Sequence, residues 1–135
     1  MTSQADARET IYQTFATDWA STSAYTFANE AFSPPVGQPW VRLTVQLQTG
    51  NQETLGDVGH RRFRREGLIT MQVFVPLDTG LRAQDALVQQ ARNIFEGRTL
   101  TGPVWCIDAD TYEIGPSDGW HQFNIDVAFA FEETR

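Results

Sequence analysis

Apolar residues recur at helical spacing in two segments of the chain, Ala5–Ala20 and Leu81–Glu96. In the first segment the apolar stripe consists of Ile11, Phe15 and Trp19. Ser3, with Asp6 three residues on, has the form of a helix N-cap. In the second segment the stripe consists of Leu87, Val88, Ala91, Ile94 and Phe95. Because Gly97 follows as a helix terminator, we predict two amphipathic helices that end near Ala20 and Glu96.

Alternation of apolar and polar residues, the pattern of a strand with one wet face, marks other parts of the chain. It runs through Trp40–Gln48, Leu68–Val75 and Trp120–Phe131, while Thr99–Ile107 and the short piece Thr111–Ile114 are strand-like in composition. The first two strands are predicted to pair as a long antiparallel hairpin arm, joined by roughly twenty residues. The element order predicts an α+β fold: one domain over residues 1–135, with a mixed, mostly antiparallel sheet and two helices packed against it.

Charge and composition narrow the function. The formal net charge is -7 and the pI is about 4.6, which argues against a protein that grips nucleic acid through phosphate contacts. All ten basic residues are arginine, so a lysine-dependent phosphate loop and Schiff-base chemistry are excluded. The single cysteine, Cys106, has no partner for a disulfide or a zinc site. With neither a signal-like start nor a membrane span in the sequence, we expect a protein made in the cytoplasm, with no membrane partner.

Candidate chemistry is sparse. His60 and His121 stand apart from any nucleophile, and alternation places His121 on an apolar strand face, where it is predicted to be a hydrogen-bonded structural histidine. Asp108, Asp110 and Glu113 could be drawn as a metal site, but the spacing lacks the features of a calcium loop and favours a solvated turn. We therefore expect no enzyme activity, no catalytic residue, no metal and no cofactor.

The highest local density of positive charge is in the run that follows His60, where four of the ten arginines of this acidic chain lie. One interpretation is a solvated loop or edge strand whose charge discourages aggregation. The other is an exposed arm that meets an acidic surface, because Val104–Thr134 contains seven acidic residues and no basic one. This second interpretation predicts a head-to-tail contact with a neighbouring subunit or tail ring. Its residues are Arg61, Arg62, Phe63, Arg64, Arg65, Asp108, Asp110 and Glu113.

An ordered series of aromatic, glycine and proline positions spans nearly the whole chain. It comprises Trp19, Tyr25–Phe32 with Pro34, Trp40–Leu43, Gly59 and the arginines, Gly67–Pro76, Gly80, Ile94–Gly97, and Trp120–Ile125 before Phe129. In this order the chain resembles the tail terminator family of long-tailed phages, the siphophages. The resemblance implies a mixed α/β fold and a structural virion protein with neither catalytic residues nor a cofactor. Trp40, Phe74 and Trp120 are interpreted as fold residues.

The resemblance also implies the protein's place in the particle. Members of this family form a homohexameric ring that caps the finished tail tube at the head–tail interface. The expected partners are the tail tube protein and a head–tail connector or stopper protein, with DNA passing through the ring without specific binding. Three other functions stay open: another connector, stopper or tube subunit, a small hydrolase that uses Asp108, Asp110 and His121, and a nucleic-acid-binding module that uses the arginines.

Overall fold

The computed structural model describes residues 2–135 and contains two helices and six strands. Helix α1 spans Gln4–Trp19 and α2 spans Arg82–Phe95. The strands are β1 Ala24–Phe27, β2 Trp40–Gln52, β3 Arg62–Pro76, β4 Thr99–Leu100, β5 Val104–Ser117 and β6 Trp120–Thr134. No helix within the described residues is long and apolar enough to cross a membrane.

All six strands form one mixed sheet in the order β1-β2-β3-β6-β5-β4. The short β1 is parallel to β2, and every other neighbouring pair is antiparallel. The two long central strands, β3 and β6, pair over their full lengths, from Arg62 opposite Thr134 to Pro76 opposite Trp120. This architecture confirms the predicted fold class, a mixed, mostly antiparallel sheet with two helices.

Both helices cover the same face of the sheet, because the apolar stripes of α1 and α2 join the inward-pointing side chains of the strands in one core. The strand residues of this core alternate along β2, β3 and β6. They include Val41, Leu43, Ile69, Met71, Val73, Phe123, Ile125, Val127 and Phe129. No helix of the described part of the chain lies on the opposite face, and below it is called the helix-free face.

The predicted helices are correct to within about a residue at each end. The backbone N–H of Asp6 donates to Oγ of Ser3 at 3.1 Å, so the predicted N-cap of α1 is confirmed. Gly97 has a left-handed backbone, with φ of +70°, and follows the end of α2 as predicted.

The strand boundaries were predicted less well. β3 begins at Arg62 rather than Leu68, so the connection between β2 and β3 is residues 53–61 and not a twenty-residue loop. The predicted strand Thr99–Ile107 is in fact β4, a turn at residues 101–103 and the start of β5, and β5 continues without a break through the predicted piece Thr111–Ile114. Irregularities in its pairing, between Cys106 and Ala109 and again before Gly115, disturb the alternation there.

Candidate interaction surface

The arginine run lies in a central strand of the sheet. Arg62, Arg64 and Arg65 belong to β3, which pairs with β2 on one side and with β6 on the other. Arg65, for example, stands between Gly50 of β2 and Phe131 of β6. The predictions of an edge strand or a free arm are therefore wrong for these residues, because both neighbouring strands extend alongside them.

Three of the arginines have carboxylate partners within the same chain. Nε of Arg65 lies 2.8 Å from Glu133, Nε of Arg64 lies 2.9 Å from Glu66, and Nε of Arg62 lies 3.4 Å from Glu132. The Arg65 pair is the least exposed, with about a quarter of each side chain accessible (24% and 23%), whereas the Arg62 side chain is 54% exposed. The run therefore carries much less unbalanced positive charge than the sequence suggested.

The other two residues of the predicted basic surface are partly buried. Phe63 is half-buried, and the guanidinium of Arg65 lies 5.4 Å from its ring centroid. Arg61 exchanges two backbone hydrogen bonds with Arg135, at 3.0 and 2.7 Å, which continues the sheet beyond the end of β6. These contacts stiffen the end of the sheet from which the 53–61 loop emerges.

The predicted acidic residues Asp108, Asp110 and Glu113 lie on β5 and are all exposed. Among the described residues, none of the three forms an ion pair with an arginine, and no group of acidic, histidine or cysteine side chains is arranged to hold a metal ion. Within one chain the predicted basic and acidic residues thus form separate surfaces, one at the end of β3 and one along β5.

The histidine of the hydrolase alternative is a structural residue, as the sequence predicted. Nδ1 of His121 lies 2.8 Å from Oε1 of Gln84, and the Gln84 amide nitrogen donates to the carbonyls of Val73 and His121 at 3.3 and 3.0 Å. Because that amide nitrogen is used as a donor, Oε1 is the acceptor and His121 carries its proton on Nδ1. Gln84, which is fully buried, thereby ties α2 to β3 and β6.

The proposed hydrolase residues do not meet. His121 packs beside Phe123 on the helix-covered face, with ring centroids 5.7 Å apart. Asp110 pairs with Asp126, whose side chain accepts a 2.9 Å hydrogen bond from Thr70 on the helix-free face. The sheet therefore separates Asp110 from His121, and the geometry offers no support for a shared active site.

Cys106 is buried in the core next to β6, as predicted. Burial raises the pKa of its thiol from 9.0 to about 12, although the positive charge of Arg98 acts in the opposite direction. A thiol with this pKa stays protonated near neutral pH, so it is a poor nucleophile.

Aromatic side chains form a second cluster at one end of the helix-free face. The ring of Trp40 stacks on Phe74 at 4.1 Å and meets Trp120 edge-on at 6.0 Å, while Phe32 packs against it at 5.1 Å. Trp40, Phe74 and Trp120, together with Pro34, border a pocket of about 500 Å³. Trp40 and Phe74 are buried, which agrees with their interpretation as fold residues.

Sequence analysis missed the outer edge of β5. Three large apolar side chains, Ile107, Tyr112 and Ile114, are between 44% and 49% exposed there. Each stands next to an acidic residue in the sequence. Large apolar residues that alternate with acidic ones along a strand near the edge of the sheet are the signal that could have identified this edge as a contact surface.

Comparisons with known proteins agree with this architecture. Among solved structures, 11 chains match. One of these structures has a TM-score of 0.65 and 20% sequence identity, and the match covers 91% of this chain and 94% of that chain. At that identity the likeness shows a shared fold. No curated protein matches at a significant level. A family model described as phage tail terminator protein matches residues 8–129, from the second turn of α1 into β6. The chain therefore belongs to the phage tail terminator family.

Proposed function

We propose that this protein forms a ring that caps the tail tube of a phage and joins the tube to the head. The observation that carries the proposal is the family match over residues 8–129, which includes nearly every element of the sheet and both helices. The ring is a homohexamer, its partners are the tail tube protein and a head–tail connector or stopper protein, and it acts in the virion at the head–tail interface.

The layout of charge supports contacts between copies. The acidic residues of β5 lie on a different part of the surface from the arginines at the end of β3, and the two groups are not paired with each other within the chain. Separate surfaces of opposite character favour a heterologous, head-to-tail contact, which closes into a ring when the rotation permits. The proposed interface residues are those predicted from the sequence, Arg61–Arg65 with Asp108, Asp110 and Glu113.

The pairing of the arginines also bears on DNA. Arg62 and Arg64 project from the helix-free face, and each has a glutamate within 3.4 Å. A paired arginine attracts phosphate less than a free one, so a ring with these residues at its channel would let DNA slide. This arrangement favours passage of DNA without specific binding over the nucleic-acid-binding alternative.

A connector, stopper or tube subunit is the second candidate, since one small sheet domain can serve several ring positions. Imaging whole particles separates these functions. A particle map should show this chain as a single ring between the last layer of the tube and the head. A map that shows it in every layer of the tube, or within the head opening, would contradict the terminator role.

The basic part of the interface is tested by removing charge without adding any. The double variant Arg62→Gln, Arg64→Gln is expected to fold with a stability loss of at most about 2 kcal/mol, because it removes two ion pairs that each contribute up to about 1 kcal/mol at a solvent-accessible site. It should nevertheless reduce the yield of tails joined to heads, counted by negative-stain imaging. We avoid changes at Arg65, since its pair with Glu133 is partly buried and its loss would confuse folding with assembly.

The matched control is Arg82→Gln, which neutralises an exposed arginine at the start of α2, away from the β3 surface. It should leave both stability and joined tails unchanged. If the double variant completes tails as often as the control does, the β3 arginines are solvated charges and not part of the interface.

A further inference from the structure

The outer edge of β5 lacks a strand partner over most of its length. The two-residue β4 pairs only with Val104 and Trp105. Two more backbone hydrogen bonds, from Cys106 to Arg98 and from Gly97 to Ile107, extend this cover by two residues. From Asp108 to Ser117, no backbone group of the described residues pairs with this edge. A bare edge of this length offers a row of unpaired donors and acceptors to another strand.

Strand β5 carries large apolar side chains that are exposed to water, which favours a contact surface. Ile107, Tyr112 and Ile114 leave nearly half of their surfaces in water. They account for three of the eight large apolar side chains that are exposed among the described residues, and all three lie within one strand. Burial of these side chains against a partner would be favourable.

Charge decides which partner fits. If two copies joined symmetrically through this edge, Asp108, Asp110 and Glu113 of one copy would face the same residues of the other, and like charges in opposing positions destabilise strand pairs. The edge is therefore unsuited to a symmetric dimer. It requires a partner edge that carries no acidic residue.

The opposite edge of the same sheet meets this requirement. β1 covers β2 only from Trp40 to Leu43, and within residues 2–135 no outer strand pairs with the segment Gln46–Gln52 of β2. That segment contains no charged residue. Beside it, Arg8 donates to the carbonyl of Val45 at 3.2 Å and has no carboxylate partner among the described residues. The β2 edge is thus neutral with a neighbouring positive charge.

We propose that β5 of one copy pairs edge to edge with β2 of the next copy, through Asp108–Ser117 and Gln46–Gln52, and that Ile107, Tyr112 and Ile114 are buried in this contact. The inference rests on the proposed ring and specifies how its subunits join. Strand direction agrees with it: β2, β3, β6 and β5 alternate in direction, so a neighbour rotated about an axis along the strands presents β2 antiparallel to β5.

The two bare segments lie at opposite ends of the strands. Gly50, in the bare segment of β2, is opposite Arg65, and across β6 this level of the sheet corresponds to Val104, at the covered end of β5. Pairing them requires a stagger between neighbouring sheets. Strands that tilt around a closed assembly produce a stagger of this kind. The bulges of β5 and β2 leave a regular run from Ala109 to Glu113 for the contact.

Thiol cross-linking between two differently tagged variants tests the pairing. Asp110→Cys and Gln46→Cys place exposed thiols on the helix-free face of β5 and β2. Cys106 stays silent, since its pKa is raised to about 12. We expect a short bismaleimide to join the two variants when they are mixed, to join neither variant to itself, and to produce a ladder of bands from the double variant.

Gln13→Cys, an exposed position on α1, serves as the control and should give no product with Asp110→Cys. No product from the Asp110 and Gln46 mixture would overturn the inference and show that the bulges and charges of β5 protect a free edge. If the same sample shows rings by negative stain, the ring stands and only its interface is wrong. A dimer from Asp110→Cys alone would show a symmetric contact between β5 edges and would contradict the proposed strand pairing.

Discussion

Gly67 is the position at which the sheet is least able to accept a side chain. It lies in β3, between Leu47 of β2 and Phe129 of β6. A Cβ at this position would overlap the backbone oxygen of Gln46 and lie 2.9 Å from two ring carbons of Phe129. The oxygen belongs to a paired strand and the ring is buried in the core, so neither can move freely.

The expected cost of Gly67→Ala follows from these contacts. Overpacking costs roughly 1–3 kcal/mol, and two rigid obstacles place this site near the upper end. Replacing glycine also restricts the unfolded chain, which returns roughly 0.4–1 kcal/mol. We expect a net loss of about 2 kcal/mol, which for a domain of this size lowers the melting temperature by roughly 6–10 °C.

Gly50→Ala is the matched control, because Gly50 is also a strand glycine and its added Cβ meets only the side chain of Arg65. That side chain is flexible and can move aside, unlike the backbone oxygen and the buried ring beside Gly67, so we expect a smaller loss of stability from Gly50→Ala. Thermal unfolding followed by circular dichroism compares the two variants. If Gly67→Ala melts within about 2 °C of Gly50→Ala, the argument from rigid neighbours is wrong.

Two further predictions concern buried polar and thiol groups. Gln84→Ala removes three hydrogen bonds that tie α2 to the sheet and should lower the free energy of unfolding in urea by about 2–4 kcal/mol. The control Gln90→Ala removes one exposed hydrogen bond to Thr22 and should cost less than about 1 kcal/mol. Equal losses from the two variants would contradict the anchoring role of Gln84. Cys106 should resist Ellman's reagent at pH 8 until the protein unfolds, and because the folded state holds this proton more tightly than the unfolded chain, stability should fall as pH rises from 9.0 toward 12. Rapid labelling of the folded protein would show that the thiol is not enclosed.

The helices and the core were predictable because burial follows the period of each element. The stripe of Ile11, Phe15 and Trp19 is buried in α1. Met71 and Val73 of β3, like Ile125 and Val127 of β6, point into the same core, as their alternation predicted. Sequence alone could not give the strand order, since alternation says which face a residue occupies and says nothing about which strand lies beside it.

The start of β3 shows why the candidate site was harder to place. Residues 62–66 lack the apolar alternation of a half-buried strand, so the sequence pattern marks them as a loop. They are a strand because their backbone pairs with β2 on one side and β6 on the other, and this pairing lets Arg62 and Arg65 reach carboxylates at the far end of β6. The signal was present in Glu132 and Glu133, but recognising it required the register that sets Phe63 opposite Glu133.

This intramolecular pairing changes what holds a ring together. The sequence predicted that an arginine arm of one copy contacts an acidic surface of the next. In the structure, Arg62, Arg64 and Arg65 each form an ion pair with a glutamate of their own chain. Among the described residues, Asp108, Asp110 and Glu113 of β5 form no ion pair with an arginine, so their negative charge is not balanced within the chain. In the proposed ring this negative charge also disfavours contact between two β5 edges, while unpaired backbone groups and the apolar side chains of Ile107, Tyr112 and Ile114 add attraction to the β5–β2 contact. Specificity and affinity would thus come from different groups on the same strand.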